Sequence, residues 1–205
     1  MPHVAAIVLA AGAGRRMRGS DKLLEPVAGR PVLRAVAEAA LASRAAEVVV
    51  VLPRGATARR AALGGLPVCL VEAADPAEGM AASLRVGLAA VEARADAIVV
   101  LLADMPEVDA AAIDRVIAAF DPAAGAEICR ADSEAGVPGH PVLFGSRHFP
   151  ALSALTGDRG ARALLRDLAV VEVATPGQGA IVDLDTPEAW SAWHEATGQT
   201  PAPDD

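Results

Sequence analysis

The sequence predicts an α/β protein built on a mostly parallel, Rossmann-like sheet, because short apolar runs alternate with Ala-rich segments of helical spacing. The first four apolar runs are segments 4–10, 47–52, 67–72 and 97–104. They are continuous rather than alternating, as expected of strands that are covered on both faces. Segments 32–43, 78–93 and 108–120 carry apolar residues at helical spacing. Strand and helix in repeated alternation are typical of a parallel sheet with right-handed crossovers.

The second half of the chain predicts further elements in a looser pattern. We expect a strand over 126–131, an extended Gly/Pro-hinged segment over 137–144, a helix over 160–169 and a strand over 170–175. Segment 180–196 predicts a short strand leading into a last helix, with Asp185 or Thr186 as N-cap and Pro187 at the first helical position. No repeat or linker divides the chain, so we expect one domain over 1–196 and a flexible tail over 197–205.

Composition excludes several classes of protein. Aromatic residues make up 2% of the 205 residues, there is no Tyr, and the formal net charge is -8. These values argue against a nucleic-acid partner and an anionic membrane surface. No apolar stretch reaches the roughly 18–20 residues that span a bilayer, and the N-terminus lacks the features of a secretion signal. We therefore expect a cytoplasmic protein, with Cys69 and Cys129 as buried thiols in a reducing compartment.

The first loop, "LAAGAGRRMRGSDKLL" after the first strand, predicts a phosphate-binding site. Ligands of open α/β sheets bind beyond the carboxyl ends of the strands, which is where this loop lies. Gly12 and Gly14 let the backbone approach a ligand and turn its N–H groups towards an anion. The four cations that follow can donate charge-assisted hydrogen bonds to phosphate oxygens: Arg15, Arg16, Arg18 and Lys22. The alternative is a glycine turn beside a solvated basic face.

Two widespread phosphate-binding motifs fit this loop poorly. The dinucleotide fingerprint G-x-G-x-x-G requires a third glycine where this chain has Met17. The Walker A motif G-x-x-x-x-G-K-[ST] matches the spacing of Gly14 and Gly19, but Ser20 and Asp21 stand where Lys and Ser/Thr belong.

Six segments in register resemble a known family. They are "LAAGAGRRM…DKLL…GRPVL", "GMAASLRVGL", "LLADMP", "GHPVLF", "GDRGAR" and "VDLDTPEAW", and together they span nearly the whole chain. They resemble the MobA-like nucleotidyltransferases, which include molybdenum-cofactor guanylyl- and cytidylyltransferases. The resemblance implies a three-layer α/β/α fold like that of nucleotide-diphospho-sugar transferases. It also implies transfer of a nucleotidyl group from an NTP with Mg²⁺ and release of pyrophosphate.

Within this family the loop favours CTP over GTP. The segment "LAAG" at 9–12 resembles the cytidylyltransferase form, and the methyl group of Ala11 would alter the room beside the base. The implied acceptor is molybdopterin or molybdenum cofactor, and a client molybdoenzyme is a further expected partner. Arg18 departs from the family, which most often has Gly after "RM".

The resemblance also implies roles for individual residues. Lys22 is expected to contact the phosphates and stabilise the charge that develops on pyrophosphate, with Arg16 beside it. For Arg15 and Arg18 a solvated surface position is the alternative. The expected nucleotide-binding residues are Leu9, Ala10, Ala11, Gly12, Gly14, Arg15, Lys22, Gly79 and Ser83. A mid-helix serine that bonds back to its own helix is the alternative for Ser83.

Carboxylates at two places predict a Mg²⁺ site. Asp104 ends a predicted strand at the ligand edge, and hard oxygen ligands together with bound phosphates suit Mg²⁺. The alternative for Asp104 is a helix cap. Asp183 and Asp185 are candidates for the second ligand; we favour Asp183, with the other residue capping the last helix. Gly139 and His140 are assigned to the acceptor pocket.

Three other functions remain open from the sequence. The same chemistry could serve another phosphorylated acceptor, such as a sugar phosphate. A nucleotide-binding partner that delivers cofactor to a molybdoenzyme without catalysis is the second alternative. A dinucleotide-dependent oxidoreductase is the third, although the loop lacks its fingerprint.

Overall fold

A seven-stranded sheet forms the centre of the computed structural model, which describes residues 2–12, 17, 20–73, 79–157 and 161–198. The strands are β1 (Val4–Leu9), β2 (Pro26–Val27), β3 (Arg30–Pro31), β4 (Glu47–Pro53), β5 (Cys69–Ala73), β6 (Ala97–Leu102), β7 (Ile128–Asp132), β8 (Pro138–Gly145) and β9 (Val171–Ala174). The α-helices are α1 (Val32–Ala42), α2 (Thr57–Ala62), α3 (Met80–Ala89), α4 (Ala110–Ala119), α5 (Phe149–Ser153), α6 (Arg162–Asp167) and α7 (Pro187–Thr197).

The sheet has the order β5-β4-β1-β6-β8-β7-β9, and β2 pairs with β3 in a separate small hairpin. Every neighbouring pair in the large sheet is parallel except the two pairs that β8 makes with β6 and β7. The predicted mostly parallel sheet is therefore confirmed.

Helices cover both faces of the sheet, which confirms the three-layer arrangement. Alternate side chains of β1 enter two separate apolar clusters, because successive residues of a strand point to opposite faces. Val4, Ala6 and Val8 join the cluster that contains residues of α1, α4 and α7. Ala5, Ile7 and Leu9 join the cluster with residues of α3 and α5.

The strand order reverses at β1, and this places two loops side by side. Leu9 pairs with Val51 of β4 on one side and with Leu102 of β6 on the other. Beyond the strand ends, the Ala103 amide donates to the Leu9 carbonyl at 3.2 Å, and the Ala10 amide donates to the Val51 carbonyl at 2.9 Å. Such a reversal opens a crevice at the carboxyl edge of a doubly wound sheet, where ligands bind.

The short strand expected at the start of segment 180–196 is wrong. Residues 180–186 form turns and irregular backbone instead. Their polar groups bind two different elements rather than following one neighbouring strand: the Ala180 carbonyl accepts from the His140 amide of β8 at 2.8 Å, and the Leu184 amide donates to the Asp104 carbonyl in the loop after β6 at 3.2 Å. The rest of the prediction holds, since Pro187 begins α7 and Thr186 is its N-cap.

The two cysteines differ in environment, so the expectation of two buried thiols is half wrong. Cys129 lies on the interior strand β7, and burial raises the pKa of its thiol to about 11. Cys69 is exposed because it begins β5, which is an edge strand of the sheet. In the described part of the chain, no helix combines the length and apolar character that crossing a membrane requires.

The domain boundary at 196 stays a prediction. Helix α7 runs to Thr197, and the expected flexible tail lies outside the described residues from 199 onwards.

Helix α3 lies close against the sheet at Gly87. A Cβ atom on this residue would sit 2.5 Å from Ile7 Cγ2 and 3.0 Å from Val51 Cγ2. Both neighbours are fully buried branched side chains, so neither has room to move. The glycine therefore sets the distance between α3 and the two strands that lead into the crevice.

We expect Gly87→Ala to destabilise the fold, because the added methyl group overpacks the interface between α3 and the sheet. The free energy of unfolding should fall by about 1–3 kcal/mol in urea denaturation, despite the better helix propensity of Ala. Ala89→Ser at an exposed position of the same helix is the control and should change it by less than about 0.5 kcal/mol. A Gly87→Ala protein as stable as the wild type would contradict this packing.

Candidate active site

Lys22 is presented by a short 3-10 helix, Lys22–Leu24, at the end of the first loop. The Asp21 side chain caps this helix by accepting from the Leu23 amide at 3.1 Å. Lys22 itself is buried, with 8% of its surface exposed. A lysine buried to this extent needs a partner for its charge.

Two carboxylates bind the Lys22 ammonium. Lys22 Nζ donates to Asp104 Oδ2 at 2.5 Å and also donates to Asp185 Oδ1. Asp104 follows the end of β6, and Asp185 directly precedes the N-cap of α7. The fold thus brings together three charged groups from distant parts of the chain, and we call them the Lys22 cluster.

Helix α7 fixes the position of Asp185. The Thr186 hydroxyl accepts from the Ala189 amide at 3.2 Å, which starts the helix immediately after Asp185. Further along, Trp193 Nε1 donates to Glu107 Oε1 at 2.8 Å, and His194 Nε2 lies 3.1 Å from the Pro26 carbonyl oxygen. These contacts attach α7 both to the loop after β6 and to the β2–β3 hairpin.

Lys22 remains charged at neutral pH. Burial by itself lowers the pKa of its ammonium, but the charges and hydrogen bonds of Asp104 and Asp185 outweigh burial and raise the pKa above the ordinary lysine value. The cluster therefore holds one positive and two negative charges in a poorly solvated place.

A pocket of about 590 Å³ opens at the carboxyl ends of β1 and β6, and its lining includes sequence neighbours of the Lys22 cluster but none of its three members. Leu9 and Leu102, the last residues of β1 and β6, line it together with Met105, which follows Asp104. Most other lining side chains are apolar, and the polar exceptions are Arg130, His140 and Asp183. A mainly apolar pocket with a few polar groups is typical of a small-molecule site.

Several predicted residues lie in or beside this crevice. Leu9 lines the pocket, and Ala10 and Ala11 are buried next to it in sequence. The methyl group of Ala11 packs into the apolar cluster on the α3 face. A Cβ atom at Gly12 would meet no other atom within 4 Å, so the backbone there faces open space. Four predicted loop residues fall outside the described part of the chain: Gly14, Arg15, Arg16 and Arg18.

The residues predicted on α3 are at its first turns. Gly79 is the N-cap of α3, and Ser83 is buried with 6% of its surface exposed. The α3 side chains that line the pocket are Met80 and Leu84. The nucleotide-binding roles of Gly79 and Ser83 stay predictions.

Gly139 and His140 line the pocket, and their assignment to the acceptor stays a prediction. Gly139 also has a packing role, because a Cβ atom there would lie 1.8 Å from the Ala180 carbonyl oxygen. Only glycine allows β8 to approach the segment before α7 this closely, and the His140 amide binds the same carbonyl.

Asp183 and Asp185, the two candidates for the second metal ligand, have different surroundings. Asp185 binds Lys22 together with Asp104, whereas Asp183 lines the pocket. Asp104 is not the helix cap that the sequence left open, because Asp109 caps α4 by accepting from the Ala112 amide at 2.8 Å.

The donor set of the Lys22 cluster suits Mg²⁺. Among the described residues, no three His, Cys, Asp or Glu side chains are grouped so as to hold a metal ion. Mg²⁺ does not need such a cage, since it binds through one or two carboxylates and completes its shell with phosphates and water. Asp104 and Asp185 both accept hydrogen bonds from the Lys22 ammonium, so their carboxylate oxygens stabilise positive charge at one point.

Sequence reasoning missed Arg59, which is buried with 7% of its surface exposed and binds both ends of the first loop. No signal in the sequence separates it from its neighbour Arg60, which is exposed. The composition does distinguish Lys22 from the other basic residues. It is the only lysine, and the other 17 of the 18 Lys and Arg residues are arginines.

We expect Lys22→Met to lower the free energy of unfolding by about 2 kcal/mol, because Asp104 and Asp185 are left without a cation. The pKa of Lys22 is higher in the folded state than in the unfolded state. Its charge therefore stabilises the fold fully below the unfolded-state pKa, and this stabilisation is lost only as the pH rises through the folded-state pKa. The difference from wild type, measured by urea denaturation, should therefore be constant between about pH 7 and pH 9.

Arg30→Met removes an exposed ion pair with Glu38 and is the control, with an expected loss of less than about 0.5 kcal/mol. A difference for Lys22→Met that shrinks steadily from pH 7 to pH 9 would show that the pKa is lowered rather than raised.

The chain matches a family model described as MobA-like NTP transferase domain over residues 6–173. Nicotine blue oxidoreductase of Paenarthrobacter nicotinovorans is 34% identical over 170 residues, covering 81% of this chain and 83% of that protein. Purine catabolism protein PucB of Bacillus subtilis (strain 168) is 32% identical over 207 residues, covering 92% of this chain and 95% of that protein.

Solved structures agree with this assignment. The crystal structure of Rv0371c from Mycobacterium tuberculosis H37Rv is 33% identical, covers 95% of this chain and 98% of its own, and superposes with a TM-score of 0.84. A structure of Rv0371c in complex with manganese superposes with a TM-score of 0.79 at 32% identity, covering 95% and 99% of the two chains. The match with the family model, the relatives above 30% identity and the shared fold together establish that the chain belongs to the MobA-like NTP transferase family.

Proposed function

We propose that the protein transfers a nucleoside monophosphate from CTP to the terminal phosphate of a molybdopterin-type acceptor and releases pyrophosphate. The observation that carries this proposal is the Lys22 cluster at the carboxyl edge of the sheet, close in sequence to Leu102, Met105 and Asp183 of the pocket lining. A cation and two carboxylates at this edge are the groups that a triphosphate and its metal ion require.

In nucleotidyl transfer the protein's main task is to position the NTP and the acceptor. An acceptor phosphate oxygen attacks the α-phosphorus in line with the leaving pyrophosphate, and negative charge grows on the leaving group. Lys22 keeps its proton at neutral pH, so it can donate to phosphate oxygens and stabilise that charge. Arg16, with Arg15 and the glycines of the loop, is assigned to the same triphosphate on the basis of the sequence.

Asp104 and Asp185 would hold the divalent ion. When bound, Mg²⁺ supplies positive charge that polarises the phosphoryl group and orients the triphosphate. The manganese complex of Rv0371c supports the use of a divalent ion in the family. The sequence favoured Asp183 as the second ligand, but the shared contact of Asp104 and Asp185 with Lys22 favours Asp185.

The preference for CTP and for molybdopterin rests on the resemblance of "LAAG" and "GHPVLF" to the cytidylyltransferase branch. In this proposal the acceptor would occupy the mainly apolar pocket that Gly139 and His140 line. A client molybdoenzyme that receives the product is part of the proposal. Another phosphorylated acceptor, such as a sugar phosphate, remains the alternative within the same chemistry, and the cytoplasmic location stays a prediction.

We expect pyrophosphate release from CTP that depends on Mg²⁺ and on molybdopterin, in an assay that compares all four NTPs. Lys22→Ala and Asp104→Ala should each lower kcat/KM at least 100-fold, because each removes a charge that the transition state requires. Lys22→Arg should also lose most activity, since a planar guanidinium does not fit the place of the compact ammonium.

Glu92→Gln, at an exposed carboxylate on the loop before β6, is the control and should keep wild-type activity. The proposed mechanism is wrong if folded Lys22→Ala and Asp104→Ala proteins are both fully active. Asp185→Asn and Asp183→Asn test which aspartate is the second Mg²⁺ ligand. If only Asp185→Asn needs a higher Mg²⁺ concentration, Asp185 is supported as the ligand; if only Asp183→Asn does, the assignment of Asp185 is contradicted.

An oxidoreductase is the second candidate function, and it is favoured by the name of the relative from Paenarthrobacter nicotinovorans. The loop argues against it, because Met17 occupies the third glycine position of the dinucleotide fingerprint. Saturable binding of NADH or NADPH, followed by fluorescence, together with no pyrophosphate release from any NTP would favour the oxidoreductase.

A further inference from the structure

We propose that Arg59 is a positioning residue that ties the two ends of the first loop together and so holds Lys22 in place for the nucleotide. This role rests on the proposed function insofar as it concerns nucleotide binding. The contacts themselves are independent of the substrate. We call Arg59 and Asp21 together the loop clamp.

One half of the Arg59 guanidinium binds the start of the loop. Nη1 donates to the Ala10 carbonyl at 2.6 Å and to the Gly12 carbonyl at 3.0 Å. Ala10 is the first residue after β1, and its amide is bound by Val51 of β4. Ala10 is thus held through both its amide and its carbonyl where the chain leaves the sheet.

The other half binds the end of the loop. Arg59 Nε donates to Asp21 Oδ2 at 2.7 Å, and Nη2 donates to Asp21 Oδ1 at 2.9 Å. The same Asp21 oxygen accepts from the Leu23 amide and caps the short helix that carries Lys22. One side chain therefore connects the exit of β1 to the turn that presents the ammonium.

These contacts use four of the five N–H groups of the guanidinium. Arg59 is also buried, so most of its hydrogen-bonding capacity is used by the protein itself. Its charge is compensated by the Asp21 carboxylate in a bidentate pair, the geometry that a guanidinium supports and an ammonium does not. Arg59 consequently acts on phosphate through the loop and not by contact.

The clamp has a clear consequence for binding. A glycine-containing loop that is free to move must be ordered when the triphosphate binds, and that ordering weakens affinity. Fixing both loop ends beforehand removes part of this cost and keeps Lys22 beside Asp104. Loss of the clamp should therefore raise the KM for the NTP more than it lowers kcat.

The test compares Arg59→Met with Arg60→Met. Arg60 is the next residue of α2 and makes an exposed ion pair with Glu72, so its replacement is a matched control. We expect Arg59→Met to raise the KM for the NTP at least tenfold, while Arg60→Met stays within twofold of wild type. Arg59→Lys keeps the buried positive charge but loses the bidentate guanidinium. It is included in case Arg59→Met does not fold, and it should give an intermediate KM.

A spectroscopic measurement follows Lys22 directly. Because Lys22 is the only lysine, protein made with ¹³C,¹⁵N-lysine gives one lysine side-chain NMR signal in the wild type and in Arg59→Met. Asp21→Asn breaks the clamp from its other end. In Arg59→Met and in Asp21→Asn the signal should move towards that of a solvated lysine, whereas in Arg60→Met it should not change.

The outcomes separate the clamp from the proposed function. If the wild type shows no NTP turnover but the lysine signal moves in both clamp variants, the function fails and the clamp stands. If the wild type turns over NTP, and folded Arg59→Met has an unchanged KM and an unchanged lysine signal, the clamp is overturned. A lower thermal midpoint with neither change would also overturn it, because Arg59 would then serve stability alone.

Discussion

The ion cluster in which the Lys22 ammonium bridges the Asp104 and Asp185 carboxylates is the constraint on which the rest of the site depends. Its members are separated by 82 and 163 positions in the sequence, so the cluster forms only when the first loop, the end of β6 and the start of α7 are all in place. Removing three charges from water is costly, and buried ion pairs add little net stability. The proposed function gives the arrangement a second reason, because it would supply the charges that a metal-bound triphosphate requires.

The protein uses its two kinds of cation differently around this cluster. Of the 18 Lys and Arg residues all but Lys22 are arginines, and at the loop clamp the rigid guanidinium of Arg59 makes four hydrogen bonds to three residues. Lys22 is a compact ammonium with rotatable donors, which can exchange carboxylate oxygens for phosphate oxygens without a change of shape. In our proposal, the fixed guanidinium of Arg59 and the adaptable ammonium of Lys22 together organise the site before the nucleotide binds.

Sequence periodicity predicted the sheet, and the parallel strands predicted that the first loop with Lys22 and the end of β6 with Asp104 would lie at the same edge. The direct contact between Lys22 and Asp104 was not predicted. The choice between Asp183 and Asp185 depended on an irregular segment, where no two-residue alternation tells which side chain faces the crevice. The strand predicted in this segment does not form, because its backbone makes single hydrogen bonds to β8 and to the loop after β6 instead of pairing along one strand. Arg59 was not predictable, because its difference from Arg60 lies only in which side of a six-residue helix is buried.

The most direct test of this account is the NMR signal of the single lysine in wild-type protein labelled with ¹³C,¹⁵N-lysine. If Lys22 passes from the carboxylates to the triphosphate, the signal of a protonated, ion-paired ammonium should move saturably when CTP and Mg²⁺ are added. It should not move with cytidine and Mg²⁺, which offer no phosphate. A lysine signal that stays unchanged while CTP and Mg²⁺ saturate the protein would show that Lys22 does not bind the nucleotide, and the account would be wrong.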